Sequence, residues 1–158
     1  MNEDDMPLQG VDRLDFRLLD ALRQEGRASY EALGQIVGLS ASSVLRRVRR
    51  LEEAGVITGY AAKIDPRQIG LGLTAYVQVR MVKHAAGQRR SPLEAFAVSA
   101  QGWPEVAEGV ALTGEMDCLL KVVVPDMDRF SEFVMDRLLQ HPSVQDCRSS
   151  FVMRAIKG

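Results

Sequence analysis

Residues 40–51 carry the side chains with the clearest chemical potential in this chain. Hydroxyl and guanidinium groups are concentrated there, on Ser42, Ser43, Arg46, Arg49 and Arg50. At 3.6 residues per helical turn these side chains share one face, and an apolar stripe of Val44, Val48 and Leu51 lies opposite. Arginine donates to phosphate oxygens and guanine edges, and serine bonds to bases or phosphates. The pattern predicts a helix that enters the major groove of DNA.

Two neighbours complete the predicted DNA-binding set. Ser40 precedes the helix as its N-cap, and Arg47 lies nearer the apolar flank, where a structural role fits as well as a DNA contact. The competing interpretation is a solvated face whose arginines pair with Glu52 and Glu53. The turn before the helix and its serine-rich start favour DNA. The predicted contacts are Ser40, Ser42, Ser43, Arg46, Arg47, Arg49 and Arg50.

Two further helices are predicted to support this one. Asp12 caps the first, Ser29 the second and Ser40 the third, and each ends at a glycine. Their apolar spacing predicts a winged-type helix-turn-helix over residues 12–60, preceded by a disordered lead over residues 1–11.

The composition excludes several classes of protein. Hydrophobic residues make up 46% of the 158, enough for a core, but no apolar run approaches the roughly 18 residues that span a bilayer. The acidic start, Met1–Asp5, is unlike a signal peptide, so we expect a cytoplasmic protein without a membrane partner. Cys118 and Cys147 lack metal-ligand spacing, and we expect thiols, no metal and no cofactor.

The net charge constrains how DNA would be bound. The formal charge is −1, whereas most DNA-binding domains are basic. Attraction to phosphate must therefore come from the local arginine cluster. Weak electrostatics in one copy predicts several copies acting together.

A second domain is predicted over residues 73–158, after a linker over residues 61–72. Its order of strand, helix, strand, strand, helix, strand is the ferredoxin-like βαββαβ pattern, an α+β fold with both helices on one sheet face. The near-continuous apolar run Cys118–Val124 predicts a strand covered on both sides. Small residues at Ala107, Gly109 and Ala111 predict that the uncovered face meets a second copy closely.

Several motifs in both halves, in the same order, resemble those of the leucine-responsive/asparagine regulator (Lrp/AsnC) family. The resemblance covers residues 11–157 and rests on Gly38-Leu39-Ser40, Arg47–Glu52, Gly55–Tyr60, Ile64-Asp65-Pro66, Thr113–Asp117 and Ser149–Met153. It implies a sequence-specific transcriptional regulator that binds double-stranded DNA. It also implies assembly as dimers, often four dimers in an octameric ring, and a response to a small effector, commonly an amino acid.

The resemblance also implies where the effector binds. Alone, the segment Thr113-Gly114-Glu115-Met116-Asp117 predicts only a hairpin turn. In the family the same loop receives the effector. Backbone N–H groups around Gly114 suit a carboxylate, and Asp117 suits an ammonium group. Ser149 or Ser150 of a neighbouring subunit would complete the site.

The sequence differs from the family pattern in two features, and two alternative functions remain open. Cys118 stands where the family usually has a large aromatic residue, and the loop Lys83–Arg90 is longer than typical. One alternative function is an architectural DNA-wrapping protein without an effector. An enzyme is the other, and it is not favoured, because no catalytic triad order, HExxH or phosphate-binding loop is present.

Overall fold

The computed structural model describes residues 10–83 and 89–156. The chain divides into two compact units between Lys63 and Ile64. Most of the predicted disordered lead, residues 1–11, and most of the loop Lys83–Arg90 lie outside the described residues. Within the described ranges, no helix is long and apolar enough to cross a membrane.

The first unit contains the three predicted helices, α1 (Arg13–Gln24), α2 (Tyr30–Val37) and α3 (Ala41–Glu53). The predicted caps are confirmed: side-chain oxygens of Asp12, Ser29 and Ser40 each accept a backbone N–H of the first turn. The apolar stripes meet in one core. Its buried members are Leu18, Leu33, Val37, Val44 and Val48.

The turn between α2 and α3 depends on a close backbone approach at Gly34. A Cβ at this position would lie 2.5 Å from the carbonyl oxygen of Leu39. The N–H of Leu39 donates to the carbonyl of Gly34 at 3.0 Å. Only glycine therefore fits where the turn folds back onto α2, and this contact sets the direction in which α3 leaves the turn.

The segment after α3 closes the helix end without forming a strand in residues 56–65. The N–H groups of Val56 and Ile57 both donate to the carbonyl of Leu51, and Ile57 packs against the helical core. The hydroxyl of Tyr60 donates to Glu52 at 2.8 Å. Glu52 therefore binds this segment rather than an arginine of α3. A 3₁₀ turn, Pro66–Ile69, follows in the second unit.

The second unit has the predicted ferredoxin-like order. It runs β1 (Leu73–Met81), α4 (Pro92–Ala100), β2 (Val106–Ala111), β3 (Cys118–Val124), α5 (Met127–Glu132) and β4 (Val144–Phe151). The strands lie in the order β2-β3-β1-β4, and every neighbouring pair is antiparallel.

The sheet is covered by helices on one face. Ala75, Val77 and Val79 of β1 are fully buried there, whereas Tyr76 on the other face is 42% exposed. The prediction that β3 is covered on both sides is wrong for the single chain: its residues alternate between buried and partly buried. We call the uncovered side the open face. Its residues include Tyr76, Gln78, Glu108, Val110, Leu119 and Lys121.

The small residues of β2 do not lie where the sequence suggested. Gly109 pairs with Leu120 and Ala111 with Cys118, and both of these partners are buried on the helix-covered side. Opposite residues in an antiparallel pair point to the same face, so the stripe belongs to that side. The expectation that it forms the open face is therefore wrong. Because α4 leaves it uncovered, an apolar groove of about 520 Å³ runs between α4 and β2.

A widened turn follows α5. Residues Phe133–Leu138 form a π-helical turn, and the N–H of Leu139 donates to the carbonyl of Val134 at 2.9 Å. In a regular α-helix Arg137, not Leu138, would follow Phe133 on the inner face. The extra residue in the turn instead buries Leu138 completely and leaves Arg137 outside, where it pairs with Glu105 at 2.7 Å.

An aromatic cluster that includes one histidine packs beside α4, which contributes Phe96. The ring of His141 meets those of Phe96 and Trp103 edge-on at 5.4 and 6.0 Å. Its Nδ1 accepts the N–H of Ser143 at 3.2 Å, and its Nε2 lies 3.0 Å from the hydroxyl of Ser99. An acceptor at Nδ1 requires the neutral ring. Burial lowers the pKa of His141 below its ordinary value of 6.5.

We therefore expect stability to fall as the pH falls below 6.5 and through the lower folded pKa of His141. In that window the unfolded chain binds more protons than the folded chain, so acid favours unfolding. Urea unfolding midpoints between about pH 7.5 and pH 5 measure the effect. His141→Gln should remove this dependence, whereas His84→Gln, the control, should keep it. Equal pH dependence in wild type and His141→Gln would contradict the assignment.

Candidate functional sites

The outward face of α3 has a shallow groove of about 560 Å³, and five of the predicted DNA-binding residues line it: Ser42, Arg46, Arg47, Arg49 and Arg50. Ser42, Arg46 and Arg49 are exposed. Within residues 10–83 and 89–156, Arg46 and Arg49 have no carboxylate partner. Their guanidinium groups are thus available for phosphates or base edges.

The serines form a hydroxyl cluster at the start of α3. The oxygen of Ser40 accepts the N–H of Ser43 at 3.3 Å and lies 3.2 and 3.0 Å from the hydroxyls of Ser42 and Ser43. Ser40 is therefore occupied as the cap. Ser42 is the more exposed of the other two, so it is the better placed for DNA.

Arg47 and Arg50 differ from the other arginines because both bind Asp15 of α1. Asp15 has no exposed surface. Nη1 of Arg47 donates to Asp15 at 2.8 Å and to Asp12 at 2.6 Å, and Nη2 of Arg50 donates to Asp15. The structural role foreseen for Arg47 is present. For Arg50, sequence spacing had indicated only DNA contact, because a partner 35 residues away leaves no periodic signal.

The same contacts set the charge state of this cluster. Burial alone would raise the pKa of Asp12, but hydrogen bonds from the Asp15 backbone and from Arg47 hold that pKa below its ordinary value of 3.8. Hydrogen bonds to Asp12 and then Asp15 raise the pKa of Arg47. Arg47 and Asp12 are therefore both ionised at neutral pH, and Arg47 contributes little to the long-range field that attracts DNA.

The loop between β2 and β3 is the predicted effector site. Gly114 has a φ of 130°, which disfavours any other residue, and a Cβ there would meet nothing within 4 Å. Thr113 and Glu115 are exposed, whereas Met116 is 6% exposed and anchors the loop. The N–H of Leu112 donates to the carbonyl of Asp117 at 2.8 Å, which closes the hairpin.

Asp117 is half engaged by the protein itself. Its Oδ2 accepts the N–H of Met81 at 2.7 Å, and its own N–H donates to the carbonyl of Val79 at 2.9 Å. Its Oδ1 has no protein partner in the part of the chain that the structure describes. One carboxylate oxygen thus holds the loop on β1, and the other is available for a ligand cation.

Arg80 of β1 lies beside this loop and was not predicted as a site residue. Its guanidinium lies 3.6 Å from carboxylate oxygens of both Glu115 and Asp146, and Nη2 lies 3.8 Å from the sulfur of Met116. Its buried Nε has no hydrogen-bond partner among the described residues. The alternation of β1 places Arg80 on the same face as Tyr76, but only the pairing of strands shows that this brings it to the loop.

The predicted serines of β4 cannot act together. Ser149 pairs with buried Val77 and Ser150 with exposed Tyr76, so the two side chains point to opposite faces of the sheet. At most one of them completes a given ligand site. Separately, no cluster of three or more metal-ligating side chains occurs in the described ranges.

Comparison with known families assigns both units. The profile of winged helix-turn-helix DNA-binding domains matches residues 11–58, and that of the Lrp/AsnC ligand-binding domain matches residues 74–158. The chain belongs to the Lrp/AsnC family. It is accordingly a DNA-binding transcriptional regulator with a ligand-binding domain.

Curated Lrp/AsnC relatives match nearly the full chain. The leucine-responsive regulatory protein of Rhizobium meliloti is 37% identical over 147 residues, which cover 93% of this chain and 92% of the relative. The leucine-responsive regulatory protein of Escherichia coli is 35% identical over 151 residues, 96% of this chain and 90% of the relative. Both relatives are regulatory proteins.

Solved Lrp/AsnC structures agree in fold. A transcriptional regulator of Neisseria meningitidis, solved as a complex with L-Met, is 43% identical with a TM-score of 0.85, covering 93% of this chain and 92% of that one. An AsnC family regulator of Agrobacterium tumefaciens is 33% identical with a TM-score of 0.81, covering 93% of both chains.

We expect Arg46→Ala to impair DNA binding and Arg47→Ala to impair folding stability. Arg46→Ala should keep the fold, weaken DNA binding and reduce the slope of log affinity against log salt by about 0.9 for each phosphate that is no longer neutralised. Arg47→Ala should lower the free energy of unfolding by about 3 kcal/mol, because it removes a partner from a buried carboxylate. Salt titrations of DNA binding and urea unfolding measure the two effects. An unchanged salt slope for folded Arg46→Ala would exclude it as a phosphate contact.

Proposed function

We propose that this Lrp/AsnC regulator binds specific DNA sites through α3 and that a free amino acid at the loop Thr113–Asp117 changes its DNA binding or assembly. The observation that carries the proposal is this loop, in which a glycine-centred turn lies beside a carboxylate with one free oxygen. We place its action in the cytoplasm, where Cys118 and Cys147, both free thiols, would stay reduced.

The chemistry of the loop suits a zwitterion. The turn at Gly114 has no side chain to cover its backbone, so its N–H groups can donate to a carboxylate. Oδ1 of Asp117 can accept from the ammonium group. The guanidinium of Arg80 lies 3.6 Å from the carboxylate of Glu115 and so places a cation beside this loop.

An amino acid with an apolar side chain is the effector class that we favour. The Neisseria meningitidis regulator was solved with L-Met, and the curated relatives are leucine-responsive. In this chain the groove between α4 and β2 is lined by Ala111 and Cys118, the strand residues that flank the loop. Cys118 is smaller than the aromatic residue usual in the family, which leaves room for an apolar side chain.

Calorimetry with L-Met and L-Leu, and with D-Met as a stereochemical control, tests this site. We expect Asp117→Asn to weaken binding at least about tenfold, because its amide oxygen can still accept from Met81 while its nitrogen cannot accept from an ammonium group. The loop thus stays anchored while the ligand's ammonium group loses its acceptor. Asp128→Asn on α5, an exposed carboxylate outside the loop, is the matched control and should bind like wild type.

Each outcome decides between stated alternatives. If Asp117→Asn binds as tightly as wild type, the effector site lies elsewhere. If no amino acid binds the wild type at millimolar concentration while DNA still binds, the effector-independent architectural function replaces this proposal.

We further propose that the chain assembles as a dimer through the open face, with a ring of four dimers as the larger assembly. Tyr76 and Val110 are 42% and 55% exposed on this face. Leu119 lies opposite Val110, and these two side chains form an apolar patch that a second copy would bury. A self-complementary patch of this kind suits a two-fold interface.

Val110→Glu should therefore convert the full-length protein to a smaller species in light scattering at micromolar concentration, because a buried unpaired carboxylate is costly. The matched control is Val98→Glu on the outer side of α4, where the valine is 57% exposed. It should keep the wild-type mass. Equal masses for all three proteins would place the interface elsewhere.

A further inference from the structure

The carboxylate of Asp15 is the most fully enclosed charge among the described residues of the DNA-binding unit. It has no exposed surface and accepts from three donors: the N–H of Asp12 at 2.9 Å, Nη1 of Arg47 at 2.8 Å and Nη2 of Arg50. The two guanidinium groups come from α3 and are separated by one turn. The start of α1 is thus bonded directly to the helix that carries the DNA-binding face.

The two arginines are held in different ways. The Arg47 side chain is 23% exposed and is shared between Asp12 and Asp15. The Arg50 side chain is 50% exposed, and Asp15 is its one partner among the described residues. A guanidinium has five N–H donors, so Arg50 retains several for another acceptor.

Arg50 lies where the enclosed cluster and the DNA-binding face meet. It is one turn beyond Arg46, and both line the groove on the outer side of α3. Because an arginine side chain loses rotamer freedom when it is fixed, an arginine already held by a carboxylate binds a phosphate at a smaller entropic cost.

We infer that Asp15 is a positioning residue for DNA recognition: it holds the Arg50 guanidinium so that its remaining donors meet a DNA phosphate. The inference rests on the proposed role of α3 in binding specific DNA. The two possible roles of Asp15, positioning and simple charge neutralisation, predict opposite changes in DNA affinity when the carboxylate is removed. A carboxylate that only cancels positive charge weakens DNA binding, so its removal strengthens binding, whereas removal of a positioning carboxylate weakens binding although the protein becomes more positive.

The test compares Asp15→Asn with Asp20→Asn in the full-length protein. Both substitutions remove one negative charge from α1, but Asp20 is exposed and accepts a hydrogen bond from Gln24 on its own helix. The probes are a duplex that the wild type selects from a randomised library and a mixed non-specific duplex. Affinities are measured across a range of salt concentrations, at a temperature below the thermal unfolding midpoint of every variant.

We expect Asp15→Asn to lose about tenfold in affinity for the selected duplex, the effect of removing one charged hydrogen bond. Its salt slope should fall by about 0.9, whereas Asp20→Asn should bind at least as tightly as wild type. In an Arg50→Ala background, Asp15→Asn should cause little further loss, because both residues act through the same phosphate. A purely structural role for Asp15 would not give this non-additivity.

A second pair of variants covers the case in which Asp15→Asn does not fold. Arg50→Lys keeps the charge but lacks the planar guanidinium that can bond to a carboxylate and a phosphate at once. Arg49 has no carboxylate partner in the described ranges, so a lysine at this position loses no such double contact. We expect Arg50→Lys to weaken binding and Arg49→Lys to change it little.

Three outcomes would overturn the inference. They are Asp15→Asn binding as tightly as Asp20→Asn, an equal loss with and without Arg50, and equal affinities for Arg50→Lys and Arg49→Lys. Failure of the proposed function is distinguishable, because the wild type would then select no duplex over the non-specific one.

Discussion

The DNA-binding unit depends on the burial of a charge. A carboxylate without solvent is costly unless donors surround it, and Asp15 has donors from the backbone of Asp12 and from two arginines of α3. Because two of those donors come from α3, these bonds join the start of α1 directly to α3. This polar contact adds to the apolar core and to the close approach at Gly34 in fixing the position of α3.

The same contact reduces the charge available for DNA. Of the four arginines around the groove on α3, two are bonded to carboxylates, and Arg46 and Arg49 carry the free charge. A chain with a formal charge of −1 and two free guanidinium groups on its recognition helix has little non-specific attraction to DNA. We therefore expect affinity to come from well-placed contacts and from several copies bound to one duplex.

Local patterns predicted most of the fold. Caps at Asp12, Ser29 and Ser40, the spacing of apolar residues and the succession of helices and strands along the chain depend on neighbours within a turn or a strand, and the structure confirms them. The position of the β2 stripe was predicted wrongly, because alternation does not show which face the helices cover. The partner of Arg50 and the approach of Arg80 to the loop also depend on residues far away in sequence, which a single sequence does not reveal. The assignment of DNA and effector contacts remains a prediction from residue type and place.

The widened turn between Phe133 and Leu138 shows that this helix can accommodate one residue more or less without a change of fold. The turn holds one residue more than an α-helical turn would, and Met135 within it is 59% exposed. Without that residue, Phe133 and Leu138 would stand four apart in an ordinary α-helix, still on one face. The core and the sheet beneath would keep the same partners. Homologous chains that differ by a single insertion or deletion here can therefore share one architecture, so a gap in their alignment at this helix marks a change of winding and not a change of fold.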